Sequence, residues 1–415
     1  MAEGKFDIYV FADWMGLETP TLRRTLSAHF AKAKKAFSFE YDKEWLKTDA
    51  QRLLDPDIEF YSGPQFPGNK ENFGIFLDSM PDTWGKTLMK RRAAQDARAR
   101  DKKPKTLYEL DYLLGVFDES RMGALRFKTD LEGPFLDNDA QTPTPPWSSL
   151  GDLQEAARQL EGDAQNDEIR KWIAVLIAPG SSLGGARPKA NVFDTQKNLW
   201  IAKFPSKTDT IDKALWEYLA YQLAVACGIE MAESRVEKIS GRHHTFLTKR
   251  FDRDGEHRIH FASAMTMTGN TEQTIKDRSP SYLEIVECIE NYGVNVEENL
   301  HQLWRRIVFN IAISNTDDHL RNHGFILTDK GWILSPAYDL NPSIEKAGLS
   351  LNIDMDDNAL DFDLAKSVGQ YFRLSESEME TILDEVVSAV QNWKDMAKKI
   401  GIRNAEIELM AGAFK

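Results

Sequence analysis

The sequence predicts a chain of mixed α-helices and β-strands that is divided into more than one domain. At 415 residues, of which 42% are apolar, the chain can fill two or three cores, because domains usually run roughly 100–200 residues. Strand-like runs are frequent in the first part, and helical patterns dominate from about residue 280. A segment rich in Pro and Asp at 132–147, EGPFLDNDAQTPTPPW, has little periodicity and is the best linker candidate.

The elements follow from periodicity and from turn residues. Before the linker, FDIYVF, AFSFEY and IEFYSG predict short strands, and TWGKTLMKRRAAQDARARDK predicts a helix. After it, LWIAKF and HTFLTKRF predict strands around the helical pattern DKALWEYLAYQLAVACG, where Gly228 suits the helix C-terminus. The apolar periodic run LHQLWRRIVFNIAI predicts a further helix. In HGFILTDKGWILSPAYDL, the runs GFIL and WIL flank the turn-like TDKG and predict a hairpin.

Charge and composition exclude several classes of protein. A net charge of −13 and a pI near 5.2 argue against broad electrostatic binding to nucleic acid, unless a local basic patch overrides the repulsion of phosphates. No apolar run approaches the ~20 residues that span a bilayer, and the N-terminus lacks a signal-peptide pattern. We therefore expect a cytoplasmic protein with no membrane contact. Cys227 and Cys288 are isolated in apolar contexts, which favours two buried small side chains over a disulfide or a metal site.

The polar stretch SNTDDHLRN (314–322) carries the first indication of chemistry. Protein kinases place a base aspartate, then an asparagine after four intervening residues, then a magnesium-binding aspartate beyond a short hairpin. Asp317 has four residues before Asn322, whereas Asp318 has three, and Asp339 follows the predicted hairpin. Asp317 is therefore the base candidate, Asn322 and Asp339 are candidate Mg²⁺ ligands, and Asp318 is expected to accept hydrogen bonds that shape the loop, from His319 or a backbone amide. A solvated loop after a helix is the alternative interpretation.

Candidates for the nucleotide-binding half stand upstream in the required order. Lys203 ends a strand-like run and Glu217 lies on the next predicted helix, so an ammonium could reach ATP phosphates and pair with the carboxylate. An ordinary surface Lys and a solvated Glu are the alternative. The glycine-rich run APGSSLGGARPKA (178–190) has Ala186 and Arg187 where a P-loop needs Lys and Ser/Thr, and it lacks G-x-G-x-x-G. It predicts either a nonstandard nucleotide loop or a plain turn.

Five ordered motifs together resemble a known family. SSLGGARPKA, IAKFP, LTKRFDR, SNTDDHLRNHGF and SPAYDLNPS occur in the order seen in HipA-like serine/threonine kinases, the toxins of bacterial type II toxin–antitoxin modules. LDSMPDTWGKTLM resembles the N-terminal HipA-coupled segment, so the resemblance covers nearly the whole chain. It implies an α+β, two-lobed protein-kinase-like fold with an N-terminal β-rich subdomain (1–135), an N-lobe-like region (148–252) and an all-helical C-terminal lobe (253–415).

The resemblance also implies roles for individual residues. Asp317 matches the catalytic aspartate, Asn322 and Asp339 the magnesium ligands, and Lys203 the lysine that contacts the nucleotide phosphates. The strand TFLTKRF would place backbone atoms of the hinge against adenine. Ser182 matches an autophosphorylated loop serine, and a phosphate of about −1.5 to −2 charges there would exclude ATP. The remaining implied residues are Leu183, Gly184 and Gly185 of the loop, Lys249 and Phe251 of the hinge, and Ser181 as a second phosphorylation site.

Partners follow from the family alone. The resemblance implies ATP and Mg²⁺ as cofactors, a HipB-like helix-turn-helix antitoxin, a protein substrate such as an aminoacyl-tRNA synthetase, and operator DNA contacted mainly through the antitoxin. Several relatives carry an acidic segment after the hinge where this chain has RIHFASAMTMTGN, so the contacts to the protein substrate are expected to differ. Two alternatives remain: a small-molecule phosphotransferase of the same fold, and a catalytically silent protein that binds an antitoxin or DNA complex.

Overall fold

The structure is a computed structural model that describes residues 4–14, 16–31, 34–47, 53–136, 144–161, 176 and 185–415. Its β-strands run in chain order as follows: β1 (Gly4–Ala12), β2 (Thr21–Ala31), β3 (Lys34–Tyr41), β4 (Leu125–Lys128), β5 (Lys189–Phe193), β6 (Leu199–Lys203), β7 (Ser234–Glu237), β8 (Thr245–Lys249), β9 (Arg253–Asp254), β10 (His257–Arg258), β11 (His260–Ser263), β12 (Gly324–Leu327) and β13 (Trp332–Leu334).

The α-helices are numbered in the same way, within the described ranges: α1 (Gly74–Asp78), α2 (Thr83–Ala99), α3 (Glu109–Leu114), α4 (Leu150–Leu160), α5 (Lys213–Ala226), α6 (Ala264–Met267), α7 (Thr274–Asp277), α8 (Tyr282–Tyr292), α9 (Val296–Ala312), α10 (Phe362–Ser367), α11 (Glu376–Gln391), α12 (Trp393–Lys399) and α13 (Asn404–Met410). Contacts between Cα atoms divide the chain into two compact units. The first is Met1–Lys207 with Asp252–Ala262, and the second is Thr208–Phe251 with Ser263–Lys415.

The first unit contains an antiparallel sheet with the strand order β3-β2-β1-β4. In β1 the side chains of Ile8, Val10 and Ala12 are buried while those between them are more exposed, which is the period of two expected for a sheet with one covered face. Phe39 and Phe76 belong to the aromatic core on this face. The unit also contains the β5–β6 hairpin. This sheet matches the predicted N-terminal β-rich subdomain.

Residues 252–262 belong to the first unit although they follow β8 in the chain. The buried Asp252 carboxylate accepts a hydrogen bond from the backbone N–H of Gly123 at 2.8 Å. Arg253 donates from Nη2 to the carbonyl oxygens of Glu119, at 3.1 Å, and Arg121, at 2.7 Å. Buried carbonyl groups need such partners, because an unpaired one costs free energy comparable to a lost hydrogen bond. The segment is therefore part of the unit's polar core.

A buried ion pair joins α2 to the start of β5 within the first unit. Asp82 caps α2 by accepting the backbone N–H of Gly85 at 2.7 Å. Its other oxygen lies 2.9 Å from Nζ of Lys189, and both side chains are 2% exposed. Burial raises the pKa of Asp82, while the Lys189 ammonium opposes this rise. Since two charges share a site shielded from water, each depends on the other for its stability.

Replacing Asp82 with alanine is expected to lower the free energy of unfolding by about 3–5 kcal/mol, because Lys189 would keep a buried charge without its partner. Asp361 provides a matched control, since it caps α10 by accepting the N–H of Asp363, and its alanine variant should lose only the cap, about 1 kcal/mol. Urea denaturation of both variants makes the comparison. Equal losses in the two variants would mean that the ion pair contributes nothing beyond the cap.

The second unit combines the hairpins β7–β8 and β12–β13 with most of the helices. Helix α9 packs against α11, and the buried Trp304 on α9 donates its indole N–H to the carbonyl of Ala365 at 3.0 Å. The rings of Trp393 and Phe414 stack at 4.0 Å. Capping boxes begin α8 and α11, at Ser281 and Ser375, and these satisfy N–H groups that a helix N-terminus leaves open. The expectation of an all-helical C-terminal lobe over 253–415 is wrong, because this range contains the hairpin that follows α9 and the short strands β9, β10 and β11.

Most predicted elements are confirmed. Helices α2, α5 and α9, strands β1, β3, β6 and β8, and the β12–β13 hairpin lie where the patterns place them, and Gly228 has a φ of 72° after α5. The strand predicted at IEFYSG is wrong, and β2 was not predicted. Residues 58–63 form a loop because Gln65, rather than the run itself, pairs with Phe39 of β3. Part of the predicted linker, 137–143, lies outside the described residues.

Two further expectations concern the two cysteines and whether any helix could span a membrane. Cys227 and Cys288 are both free and buried, as expected, and burial raises the pKa of each thiol to about 12. Within the described ranges, every helix is too short or too polar to span a bilayer.

Candidate active site

The loop after α9 is fixed by its own polar groups. Ile313 closes the helix by donating its N–H to Phe309, and the next residue, Ser314, takes a left-handed φ of 49°. Asn315 then bonds back to Asn310 twice, through its backbone N–H at 2.8 Å and its side-chain amide at 3.0 Å. Both asparagines are fully buried. Because buried amides are costly without partners, these bonds hold the loop in one conformation.

The two adjacent aspartates of this loop have opposite environments. The side chain of Asp317 is 78% exposed, and its nearest cation is Nζ of Lys346 at 3.9 Å. The side chain of Asp318 is 1% exposed. Asn322 lies beside Asp317, since its amide Nδ2 donates to the Asp317 carbonyl oxygen at 3.1 Å. Asp317 is therefore the carboxylate that a substrate hydroxyl can reach.

Asp318 is the centre of a buried hydrogen-bond cluster. One of its carboxylate oxygens accepts bonds from the Tyr282 hydroxyl at 2.5 Å, the Asn310 amide at 2.8 Å and Nε2 of His323 at 2.7 Å. The rings of Tyr282 and His323 are perpendicular. Burial first, and then the Asp318 carboxylate, raise the pKa of Tyr282 well above its usual value. A carboxylate with three donors is held in place, and at 1% exposure a substrate hydroxyl cannot reach it.

The cluster corrects one detail of the sequence interpretation. Asp318 accepts hydrogen bonds that shape the loop, but its imidazole partner is His323 and not His319. His319 contributes through its backbone instead, because its carbonyl oxygen accepts the N–H of Asn322 at 2.7 Å. Sequence reasoning missed Tyr282, Asn310 and His323 as site residues. A signal existed only for Asn310, the one amide within the apolar run IVFNIAI.

The hairpin returns the chain to the same loop. After β13, the Ser335 carbonyl accepts Nη2 of the buried Arg306 at 2.7 Å. Asp339 has a left-handed φ of 60°, an uncommon conformation for a residue with a Cβ. Its Oδ1 lies 3.3 Å from the Asn341 amide, and the Asn341 N–H bonds Oδ1 of Asn315 at 3.4 Å. The Asp339 segment is thereby tied to the loop that carries Asp317.

Phe251, one of the two predicted hinge residues, connects to this loop through one tyrosine. The rings of Phe251 and Tyr338 lie 5.7 Å apart, and the Tyr338 hydroxyl donates to the carbonyl of Arg321 at 2.7 Å. At the end of β8, the Lys249 N–H donates to the Glu233 carbonyl at 2.7 Å. The contact between Phe251 and Tyr338 therefore brings a predicted hinge residue next to the segments that carry Asn322 and Asp339.

The other predicted residues are distributed as follows. Glu217 is buried on α5 in the second unit, while Lys203 ends β6 in the first unit, opposite Lys189. Gly185 has a φ of 101°, and its carbonyl accepts the N–H of Trp84 at 3.3 Å. The Lys203–Glu217 pair stays a prediction. Ser181, Ser182, Leu183 and Gly184 lie outside the described residues.

The donor set fits Mg²⁺ in the way that kinases use it. Among the described residues, no group of three or more His, Cys, Asp and Glu side chains forms a metal cage. Mg²⁺ rarely needs one, since one or two protein ligands complete its shell together with phosphates and waters. The Asn322 Nδ2 is engaged with Asp317, which leaves the amide oxygen to face a cation. Asp339 supplies the carboxylate, so Asn322 and Asp339 suit this cation.

Fold and site residues together define a kinase-like α+β protein. The HipA-like C-terminal domain model matches residues 181–394, more than half of the chain. The chain belongs to this family, which confirms the resemblance. The chain is similar in fold to a chain of the Shewanella oneidensis MR-1 toxin–antitoxin complex of HipA, HipB and operator DNA. The TM-score is 0.66 at 17% identity, and the alignment covers 98% of this chain and 94% of the Shewanella chain. The predicted fold class is thereby confirmed.

Two curated relatives are similar over part of their length. A Sinorhizobium fredii protein named "Putative kinase Y4mE" is 24% identical over 210 residues, 49% of this chain and 43% of that protein. A Haemophilus influenzae protein named "Putative kinase" is 26% identical over 179 residues, 39% of this chain and 52% of that protein. The chain thus spans about half the length of the curated relatives it matches.

Proposed function

We propose that this protein is an ATP- and Mg²⁺-dependent serine/threonine-protein kinase toxin of a type II toxin–antitoxin module. The observation that carries the proposal is the contrast between the two aspartates: Asp317 is 78% exposed beside Asn322, whereas Asp318 is sequestered by three donors. Only one carboxylate in the loop is available as a base, and it is the one at kinase spacing from an asparagine.

In the proposed reaction, a substrate serine or threonine hydroxyl attacks the γ-phosphorus of ATP. A new P–O bond forms to that oxygen as the bond to the β-phosphate oxygen breaks, and Asp317 accepts the hydroxyl proton. Asn322 and Asp339 would hold Mg²⁺, which would supply positive charge against the phosphates. Lys203 and Gly185 contact the phosphates, Glu217 orients Lys203, and the backbone at Lys249 and Phe251 contacts adenine.

Regulation and partners extend this proposal. Phosphorylation of Ser182, or of Ser181, places negative charge where ATP phosphates would bind and switches the enzyme off. The substrate is a protein such as an aminoacyl-tRNA synthetase. A HipB-like helix-turn-helix antitoxin is the proposed partner, and operator DNA would be contacted mainly through it. The similarity in fold to the Shewanella HipA, which was solved in complex with HipB and operator DNA, supports this proposal.

Labelling of phosphatase-treated protein with γ-labelled ATP tests the function. We expect phosphate on Ser182 or Ser181 with Mg²⁺ and none with a chelator. The variant Asp339→Asn should incorporate label at least about 10–100-fold more slowly, because even changes behind a metal ligand cost that much. Asp329→Asn, in the exposed turn between β12 and β13, is the matched control and should label like the parent.

Other outcomes would overturn the proposal in different ways. Label transferred in a lysate only to small molecules, with none on protein, would make the chain a small-molecule phosphotransferase. If the protein neither incorporates label nor binds ATP, a catalytically silent binding protein replaces the kinase.

A further inference from the structure

A strongly basic segment stands out in this acidic chain. Between residues 86 and 105 there are nine Lys or Arg side chains and two Asp, a net charge of +7, while the whole chain carries −13. The other residues therefore carry −20. The cations of this basic segment are Lys86, Lys90, Arg91, Arg92, Arg98, Arg100, Lys102, Lys103 and Lys105.

The basic segment is held on an ordered scaffold that leaves its charges exposed. In α2, the buried residues are Trp84, Gly85 and Leu88, so its second half carries no buried side chain. A helix that is polar on all sides either faces solvent or has a partner outside the chain. Beyond the helix, Asp101 takes a left-handed φ of 50°, and the N–H of Lys102 bonds back to Ala97 at 2.8 Å. The backbone that carries the cations up to Lys102 is therefore ordered.

Most of these cations have no carboxylate partner among the described residues. Three are engaged within the first unit: Lys86 lies 4.0 Å from Glu109, Lys105 pairs with Asp111 at 2.5 Å, and Arg91 donates to the Leu160 carbonyl. In the part of the chain that the structure describes, the other six form no ion pair, and all are exposed: Lys90, Arg92, Arg98, Arg100, Lys102 and Lys103. Their mutual repulsion is unfavourable unless an anion from outside the chain neutralises it.

The composition of the segment favours phosphates over a protein surface. Protein interfaces have a core enriched in aromatic and apolar side chains, but residues 85–107 contain no aromatic residue, and the residues between Arg92 and Arg98 are mainly Ala. Binding to a phosphate backbone, by contrast, requires only positive charge on the protein. Lys90 and Arg98 are separated by about 12 Å of helix axis at 1.5 Å per residue, and that length of duplex carries about seven phosphate charges. Three of the six exposed cations lie within this length and the other three follow within five residues of Arg98, so the positive charge is of the same order as the phosphate charge it would face.

We propose that the basic segment, residues 86–105, binds the phosphate backbone of double-stranded nucleic acid directly and without base specificity. The local charge overrides the repulsion expected from the acidic chain as a whole. This contact would belong to the chain itself and needs neither an antitoxin nor phosphoryl transfer, so it can fail while the proposed kinase activity stands, and the reverse also holds.

Fluorescence anisotropy with the full chain alone and a labelled 30-base-pair duplex of arbitrary sequence tests the proposal. With six phosphate contacts, the affinity should fall about 10³-fold between 50 and 200 mM KCl, because each contact contributes about −0.9 to the log–log slope. The variant Arg98→Gln/Lys102→Gln/Lys103→Gln removes three exposed cations, so its affinity should fall only about 40-fold over the same range. It should also bind more weakly at 50 mM.

A matched control removes the same charge elsewhere. Lys394→Gln/Lys398→Gln/Lys399→Gln changes three exposed lysines of α12 and should keep the parent's affinity and salt slope. Circular dichroism and melting should be unchanged in both variants, since all six residues are exposed. The proposal is overturned if the parent does not bind the duplex at 50 mM KCl, or if both variants lose the same amount of affinity for it. Equal binding of polyglutamate, with the same dependence on the basic segment, would also overturn it and would assign the surface to an acidic protein.

Discussion

Replacing Asp317 with asparagine should lower phosphoryl transfer by about 10²–10⁴-fold, the range that a positioned general base contributes. The amide keeps the shape of the side chain but cannot accept the hydroxyl proton. Stability should change by no more than about 0.5 kcal/mol, because the side chain is 78% exposed and its nearest cation is 3.9 Å away. Initial rates of label incorporation, with ATP affinity measured separately, distinguish lost chemistry from lost binding.

Asp384→Asn is the control for that experiment. Asp384 is exposed on α11, so the variant has the same change of charge away from the site and should transfer phosphate at the parent rate. If Asp317→Asn retained activity within about threefold of the parent, a general base could not be assigned to this carboxylate.

Replacing the neighbouring Asp318 with alanine should lower the free energy of unfolding, whereas replacing Asp317 should hardly change it. It would leave the Tyr282 hydroxyl, the Asn310 amide and the His323 imidazole without their common acceptor in a buried site. Since each buried unsatisfied group costs about 1–3 kcal/mol, and such costs are not additive, we expect a loss of about 3–5 kcal/mol. Urea denaturation measures it directly.

A double-mutant cycle shows whether the cluster causes this loss. Tyr282→Phe removes one donor, so the double variant Tyr282→Phe/Asp318→Ala should be more stable than the sum of the two single losses predicts. Strict additivity would mean that the two side chains stabilise the unit independently, contrary to the 2.5 Å contact between them.

Asp317, Asn322 and Asp339 could be proposed as the candidate site from the sequence because they are close together in it. The spacing of Asp317, Asn322 and Asp339 requires only one helix end and one hairpin, and both are strong local patterns. The Asp318 cluster could not be predicted in full, because Tyr282 lies 36 residues away and its contact depends on tertiary packing.

The difference between local patterns and tertiary contacts also explains why the elements at IEFYSG and β2 were predicted wrongly. The run IEFYSG has the composition of a strand, but Gln65 supplies the pairing to β3, and the Gln65 side chain bonds the backbone of Glu59 at 2.8 Å in both directions. Strand β2 contains the buried Arg24, which interrupts the apolar alternation that would have marked it. A side chain whose environment is set by distant residues gives no reliable signal in a local window.

The bonds from Arg253 to the carbonyls of Glu119 and Arg121 have a consequence for biosynthesis. They close the first unit with a segment that leaves the ribosome about 130 residues after its acceptors. Until then these carbonyl groups bond to water instead of Arg253, and the first part of the second unit has already emerged. Contacts between such distant positions slow folding, because loop closure must precede the gain in contact energy. We therefore expect the first unit to complete its polar core only after residues 208–251 of the second unit have been synthesised.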